Sequence, residues 1–363
     1  MSGGGWHPAL WRERPAAQQP VYADVKALAA VEQNLAVSPP LVTLEAVDAL
    51  RARLAEAAAG RALLLQGGDC AETFADADVA GLVALFDGLA ATLPLPAVQV
   101  ARIAGQYAKP RTVEGRVWRG ESVNGRDALE PDPARMGRAF DHAAATARRL
   151  PAGLFASHEA LLLPYEQALV RRADDSRWWS GSGHMLWLGE RTRQLDGAHV
   201  AFAAGIVNPL GVKLGEINAD ELRRLVDRLD PAREPGRLTL IVRMGAAIDA
   251  ALPSLMRALR QEGRQPLWVS DPLHGNTGRG GPHKVRLLGE AVREVEAFTP
   301  IARSEGVHPG GLHLEMTPED VAEVTGGLEG EGWTSACDPR LNPRQAQAVV
   351  AAFVAALGRR HAA

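Results

Sequence analysis

Residues 183–215 read GHMLWLGERTRQLDGAHVAFAAGIVNPLGVKLG. Two short apolar runs, Met185–Leu188 and Gly211–Leu214, flank a polar connector with Glu190, Arg191, Arg193, Asp196 and His199, and the second run carries Lys213. A strand buried on both faces reads as a near-continuous apolar run, and parallel neighbours need a long crossover. The stretch therefore predicts strand, charged helical crossover and parallel strand. Charges at the C-terminal ends of such strands face the crevice where α/β folds bind ligands. Taken alone, Glu190 and Arg191 also suit a solvated helix start, and Lys213 a surface position. The recurrence of the pattern decides between the two.

Further runs occur at Ala62–Leu65, Ala97–Ile103, Gly153–Ser157, Leu238–Val242, Pro266–Val269 and Gly311–Leu314, making eight with the two above. Helix-length stretches separate them: 78–93, 134–150, 161–173, 219–229, 250–262 and 284–304, then a short helix at 318–325 and a last amphipathic one at 343–357. Eight strands with long right-handed connections predict a (β/α)8 barrel. An open doubly wound sheet is the alternative, but no Gly-x-Gly-x-x-Gly follows the first strand. Residues 1–60 form an N-terminal extension, with helices expected at 22–36 and 43–59. In the second, Leu44, Val47, Leu50, Leu54 and Ala57 share one face. That face is expected to pack on a barrel end or a second copy of the chain, and a homodimer or larger homo-oligomer is expected. Residues 61–363 form the barrel and its C-terminal helix.

Among 363 residues, 46% are hydrophobic and 23% charged, which is globular composition and excludes wholesale disorder. A net charge of −3 without a basic block excludes a nucleic-acid groove, so an anionic ligand must be met by local charge. The N-terminus lacks a signal-peptide pattern and no apolar run spans a bilayer, so a cytoplasmic enzyme is expected. Cys70 and Cys337 are then free thiols, metal ligands or catalytic groups rather than a disulfide.

Every strand end carries a charged or metal-competent group. In order these are Asp69 and Cys70; Arg102, Lys109 and Arg111; His158 and Glu159; Glu190 and Arg191; Lys213; Arg243; Asp271 and His274; and Glu315. Active sites of barrels are built at this face. Two chemistries separate. Arg102, Lys109, Arg111, Arg191, Lys213 and Arg243 form a set of cations that would repel one another without anions, which points to phosphates and carboxylates as ligands. Cys70, His274, Glu315 and Asp338 combine a thiol, an imidazole and carboxylates, a set suited to manganese, iron, cobalt or zinc. A buried cysteine is also ordinary core, a lone histidine is often just hydrogen-bonded, and Cys337 beside Asp338 is an alternative ligand.

The segments LLQGGDCAE (64–72), ARIAGQYAKPR (101–111), RGESVNG (119–125), SHEALLLPY (157–165), GERTRQLDGAH (189–199), NPLGVKLG (208–215), DPLHGNT (271–277), HPGGLHLE (308–315) and ACDPRLN (336–342) resemble class II 3-deoxy-D-arabino-heptulosonate 7-phosphate (DAHP) synthases. The resemblance runs from about residue 15 to the last helix. It implies a barrel enzyme that condenses phosphoenolpyruvate with erythrose 4-phosphate, the first step of the shikimate pathway to aromatic amino acids. It also implies that Cys70, His274, Glu315 and Asp338 hold a divalent metal, with Mn2+ expected first and Co2+, Fe2+ or Zn2+ as alternatives. Arg102, Glu190, Arg191, Lys213 and Arg243 fall where the family holds phosphoenolpyruvate, with Glu190 expected to steady the cations. Lys109, Arg111 and Thr112 fall where it meets erythrose 4-phosphate, and Trp187 lies beside the attacking water. Lys109, His274 and Glu315 are candidates for proton transfer, and Arg102 for charge stabilisation.

The sequence departs from the resemblance at two places. Between Asn124 and Ser157 only about one helix fits, where family members carry a longer helical insert linked to feedback inhibition by aromatic amino acids. Inhibition by phenylalanine, tyrosine or tryptophan is therefore not expected, which fits a paralogue serving secondary metabolism. After Arg243 the chain reads MGAAIDAALP, where the family often has a lysine or another polar residue near Ala247. A modified aldose phosphate such as an amino sugar analogue is the alternative substrate. A non-catalytic homologue regulating a partner such as chorismate mutase is the alternative role, though no motif indicates that partner.

Overall fold

The computed structural model describes residues 5–70, 73–75, 77–111, 117–280 and 283–359. Eight strands, β1 (Leu63–Gly68), β2 (Ala97–Arg102), β3 (Phe155–Glu159), β4 (Met185–Leu188), β5 (Leu210–Leu214), β6 (Leu238–Val242), β7 (Leu267–Ser270) and β8 (Pro309–Glu315), close into a parallel barrel. They follow chain order around the barrel, and β1 pairs with both β2 and β8. All eight predicted strands are present, shifted by up to three residues. The shifts occur where polar residues such as Gln66, Glu159 and Ser270 belong to the strand and break the apolar run.

Alternation along each strand sorts the side chains. Leu64, Val98, Val100, Phe155, Met185, Trp187, Ile241, Leu267 and Val269 fill the barrel interior. Leu63, Leu65, Leu186, Leu240 and Trp268 face the helices. Gly211 lies against Trp187, Ile241 and Met185, and a Cβ there would sit 2.8 Å from the Trp187 Cβ. The inner face is therefore full at mid-height, and ligands can enter only above it.

The extension is part of the barrel's packing. Helix α2 (Leu44–Ala58) is capped by the Thr43 side chain. Its Leu50, Leu54 and Ala57 join the interior cluster and close the barrel's N-terminal end. Helix α1 (Val25–Val37), capped by Asp24, precedes it. Trp6 Nε1 donates to Ala201 O at 2.8 Å and Trp11 Nε1 to Gln167 Oε1 at 2.8 Å, tying the first residues to the outer shell.

The remaining helices are α3 (Val79–Ala90), α4 (Ala134–Ala147), α5 (Leu163–Ala168), α6 (Ala198–Ala203), α7 (Ala219–Leu229), α8 (Ile248–Gln261), α9 (Leu288–Ser304) and α10 (Pro343–Gly358). The helix expected at 161–173 stops at Ala168, and Val170–Arg172 pairs antiparallel with Trp178–Ser180. The aromatic pair Trp178-Trp179 favours strand, and Ser176 turns the chain at φ 70°. The helix expected from Lys284 begins at Leu288, because 283–285 pairs with Gly278–Gly280 as a hairpin. The short helix expected at 318–325 is absent. Its backbone is bonded elsewhere, Ala322 N to Gly332 O and Thr325 N to Arg286 O. Among the described residues no helix is long and apolar enough to cross a membrane. A single helix, α4, occupies the span between Asn124 and Ser157.

Candidate active site

The inward parity continues past the strand ends and aims the functional side chains. From Val98 and Val100 it passes to Arg102, from Ser157 to Glu159, from Gly211 to Lys213, from Ile241 to Arg243, from Val269 to Asp271, and from His313 to Glu315. A polar layer marks the change from core to site. Gln66 Nε2 donates to Ser157 Oγ at 2.9 Å, Gln66 Oε1 meets His313 Nδ1 at 2.7 Å, and His313 Nε2 meets Arg102 Nη1 at 3.2 Å. Trp187 stacks edge-on to His313 with centroids 5.2 Å apart, and the Arg102 guanidinium lies over its ring at 5.4 Å.

Above this layer is a cavity of about 290 Å³. Arg102, Lys109, Trp187, Glu190, Arg191, Lys213, Arg243, His274 and Asp338 of the expected set line it. Arg111 is not among its lining residues and lies over the Trp118 ring at 5.2 Å. Thr112 lies outside the described residues. His158 points away from the cavity, with Nε2 2.8 Å from Glu166 Oε1 behind β3. Glu190 accepts from Arg193 Nη2 at 2.6 Å and from Gly215 N at 2.7 Å, bracing the ends of β4 and β5 together.

The cations are less naked than the sequence suggests. Arg102 Nη2 donates to Glu315 Oε1 at 2.6 Å, Lys109 Nζ lies 3.2 Å from Glu159 Oε2, and Lys213 is ion-paired with Asp271. Burial lowers the Lys213 pKa to about 8 against the pull of Asp271. Burial alone would raise the Asp271 carboxyl, but His274 and Lys213 outweigh it and hold it well below the usual carboxylate range. Glu315 is likewise held far down against burial by His274, Arg286 and Arg102. The site thus presents a patchwork of fixed charges, with Arg191 and Arg243 toward the open side. Arg243 is steadied by donation from Nη2 to His274 O at 2.8 Å.

The expected metal ligands gather on one side. Donor atoms of His274, Glu315 and Asp338 lie within 4.8 Å of one another, as do those of Cys70, Cys337 and Asp338. The two groups share Asp338, which links Cys70 and Cys337 to His274 and Glu315. Asp271 lies 2.7 Å from His274 Nδ1, which leaves Nε2 turned to the cluster, 3.2 Å from Glu315 Oε1. A carboxylate behind a histidine in this way is the usual orientation of a metal-binding imidazole. The hydrogen bond to Cys337, together with burial, pushes the Cys70 thiol up, so metal uptake there would release a proton. The donor set fits a borderline divalent cation.

Several residues of the site had no signal in the strand-end pattern. Arg286 donates to Glu315, to Pro339 O at 2.6 Å and to Thr277 Oγ1 at 2.8 Å, and Nη2 is 3.4 Å from Asp338 Oδ2. Arg279 and Lys284 of the hairpin line the cavity. Glu323 accepts from the amides of Thr334 (3.0 Å), Ser335 (2.7 Å) and Arg340 (2.9 Å), and from Arg340 Nε and Nη2 (2.9 and 2.8 Å). Arg340 Nη1 reaches Asp69 Oδ2 at 2.7 Å, and Asp69 Oδ1 accepts from Cys70 N at 2.6 Å. This chain of bonds joins the loop of Cys70 to the loop of Cys337 and Asp338.

The sequence model of the class-II DAHP synthetase family matches residues 6–154 and 148–356. The chain belongs to the class-II DAHP synthetase family. It is 41% identical to a phospho-2-dehydro-3-deoxyheptonate aldolase of Streptomyces coelicolor, over 92% of this chain and 94% of that one. A probable phospho-2-dehydro-3-deoxyheptonate aldolase of Pseudomonas fluorescens is 42% identical, over 94% of this chain and 95% of its own. A phospho-2-dehydro-3-deoxyheptonate aldolase of Mycolicibacterium smegmatis is 37% identical, over 92% and 90%. The Streptomyces alignment spans 424 positions, more than the 363 residues here, so that relative carries segments this chain lacks. The family match itself divides at 148–154, immediately after α4.

Proposed function

We propose that this chain is a metal-dependent DAHP synthase, a transferase that condenses phosphoenolpyruvate with erythrose 4-phosphate and releases phosphate. The observation that carries the reading is one cavity lined by Arg102, Arg191, Lys213 and Arg243 together with His274 and Asp338, with Glu315 beside both of these donors and Cys70 beside Asp338. Two phosphates and a carboxylate need such an array, and a carbonyl awaiting attack needs an electrophilic partner beside it.

Arg102, Arg191, Lys213 and Arg243 would hold the carboxylate and phosphate of phosphoenolpyruvate, the guanidinium groups in pairs of bonds and Lys213 as a point charge. Lys109 would orient the aldehyde of erythrose 4-phosphate. Burial opposes the charge of Lys109, but the Glu159 carboxylate 3.2 Å away favours it, and the ammonium stays protonated to donate to the new alkoxide. C3 of phosphoenolpyruvate bonds to the aldehyde carbon, water adds at C2 past Trp187, and the C–O bond to phosphate breaks. A divalent cation on Cys70, His274, Glu315 and Asp338, manganese being well suited, would supply Lewis acidity for the carbonyl. The fixed charges need no reorganisation as the transition state forms, which favours turnover over mere binding. The single helix between Asn124 and Ser157 supports a place outside feedback-controlled primary metabolism, in a pathway to a secondary metabolite.

The test is phosphate release from the two substrates before and after chelation and Mn2+ re-addition. Activity lost on chelation and restored by metal is expected, with none in the Cys70→Ser variant. Undiminished turnover after chelation, or by that variant, would overturn the metal assignment.

A further inference from the structure

Three cations sit on the two carboxylates that the metal reading assigns as ligands, and they are held very differently. Arg102 is on Glu315 Oε1, with a side chain 1% exposed and a second partner in His313. Arg286 bridges Glu315 and Asp338, is 1% exposed, and is pinned further by Thr277 and Pro339. Lys284 is ion-paired with Asp338 Oδ1, and its side chain is 47% exposed. A partly exposed lysine pair contributes little, because the ammonium is well hydrated and its stem costs entropy to hold. Of the three, Lys284 is the cation that can leave cheaply.

Lys284 lies in the hairpin formed by 283–285 and Gly278–Gly280, and it also lines the cavity with Lys213, Arg243 and Arg279. An ammonium that lets go of Asp338 therefore swings within the space where the substrate anions bind. We propose that Lys284 is a resident counter-ion of Asp338, displaced by the divalent cation and then available to the phosphate of phosphoenolpyruvate, so that one lysine couples metal and substrate binding. The inference rests on the metal reading above. Without metal, Lys284 shares with Arg286 the neutralisation of a carboxylate that lies close to Glu315. With metal, the same charge is redirected to the ligand. Linkage requires the coupling to be reciprocal, so phosphoenolpyruvate must tighten metal binding by the factor that metal tightens phosphoenolpyruvate.

The experiment is Mn2+ binding followed by the electron paramagnetic resonance signal of the free ion, with and without phosphoenolpyruvate and without the second substrate. Wild type should bind Mn2+, and more tightly when phosphoenolpyruvate is present. Lys284→Met should bind Mn2+ about three- to fivefold more tightly than wild type in the absence of phosphoenolpyruvate, the competitor being gone. In that variant the added tightening by phosphoenolpyruvate should shrink. Lys284→Arg, which keeps the charge, should not gain affinity. A lysine with a purely structural role would give the opposite sign in Lys284→Met, so equal or weaker Mn2+ binding by that variant overturns the exchange alone. Failure of wild type to bind Mn2+ at all overturns the metal reading and the exchange with it.

Discussion

Glu323→Gln should loosen the ligand loops and the fold together, and its cost can be worked from the hydrogen bonds. Glu323 is 1% exposed and accepts five bonds, three at Oε1 and two at Oε2. Burial opposes its charge, but Arg340 and the Thr334 and Ser335 amides outweigh burial and hold its carboxyl below the usual range. Glutamine keeps one carbonyl oxygen and turns an amino group toward the other donors. At least two donors then lose their acceptor, at about 1–3 kcal/mol each. Arg340 also loses a buried opposite charge, and breaking such a pair costs about 3–5 kcal/mol in total. Both estimates describe the same defect, so about 4 kcal/mol is expected from urea unfolding followed by tryptophan fluorescence. Because Arg340 continues to Asp69 and thence to Cys70 N, Mn2+ affinity should fall by about 10- to 100-fold. Arg340→Lys should fall between wild type and Glu323→Gln on both measures. A Glu323→Gln variant within about 1 kcal/mol of wild type, with unchanged Mn2+ binding, would refute the reasoning.

Other expectations follow from the buried charges and the short α4 region. Lys213 titrates near pH 8 because burial disfavours its charge, so the KM for phosphoenolpyruvate should rise as pH climbs through about 8, while Lys213→Arg should move that limb upward. A KM that stays flat to about pH 9.5 would sink this assignment. Burial raises Glu294 from 4.5 to about 7, so between those values the folded state holds a proton that the unfolded chain has lost. Stability should therefore decline as pH rises through that window, and Glu294→Gln should flatten the slope in denaturation midpoints taken across it. Phenylalanine, tyrosine and tryptophan should leave the initial rate unchanged, and clear inhibition by any of them at physiological concentration would contradict the reading of the α4 region.

The barrel was legible because burial on both faces writes each parallel strand as an apolar run, and period-two alternation then tells which neighbouring charge points inward. Lys213 follows Gly211, Arg243 follows Ile241 and Glu315 follows His313 by this rule alone. Glu159 was legible by it too, and His158 is turned out by the same parity. The rule reaches only one or two residues past a strand. Arg286 and Glu323 lie in segments that read as helix starts or surface helix, and they become functional only through bonds to residues far away in sequence, Glu315 for one and Arg340 with Asp69 for the other. Lys284 was hidden similarly, inside a predicted helix that proves to begin at Leu288. Charge balance was misjudged for a related reason. The repulsion among Arg102, Lys109 and Lys213 is relieved by Glu315, Glu159 and Asp271, pairings that only barrel closure creates.

The bond from Arg340 to Asp69 also has a bearing on synthesis of the chain. Asp69 emerges early from the ribosome and Arg340 close to the end, and the contact joins positions 271 residues apart. The donor cluster likewise needs Cys70 and Asp338 at once. A nascent chain therefore carries its early cysteine as an ordinary thiol until the final loop arrives. Chains that stop short of Asp338 can form all eight strands yet lack the residue common to both donor groups, so the complete donor cluster is reserved for chains translated almost to the end.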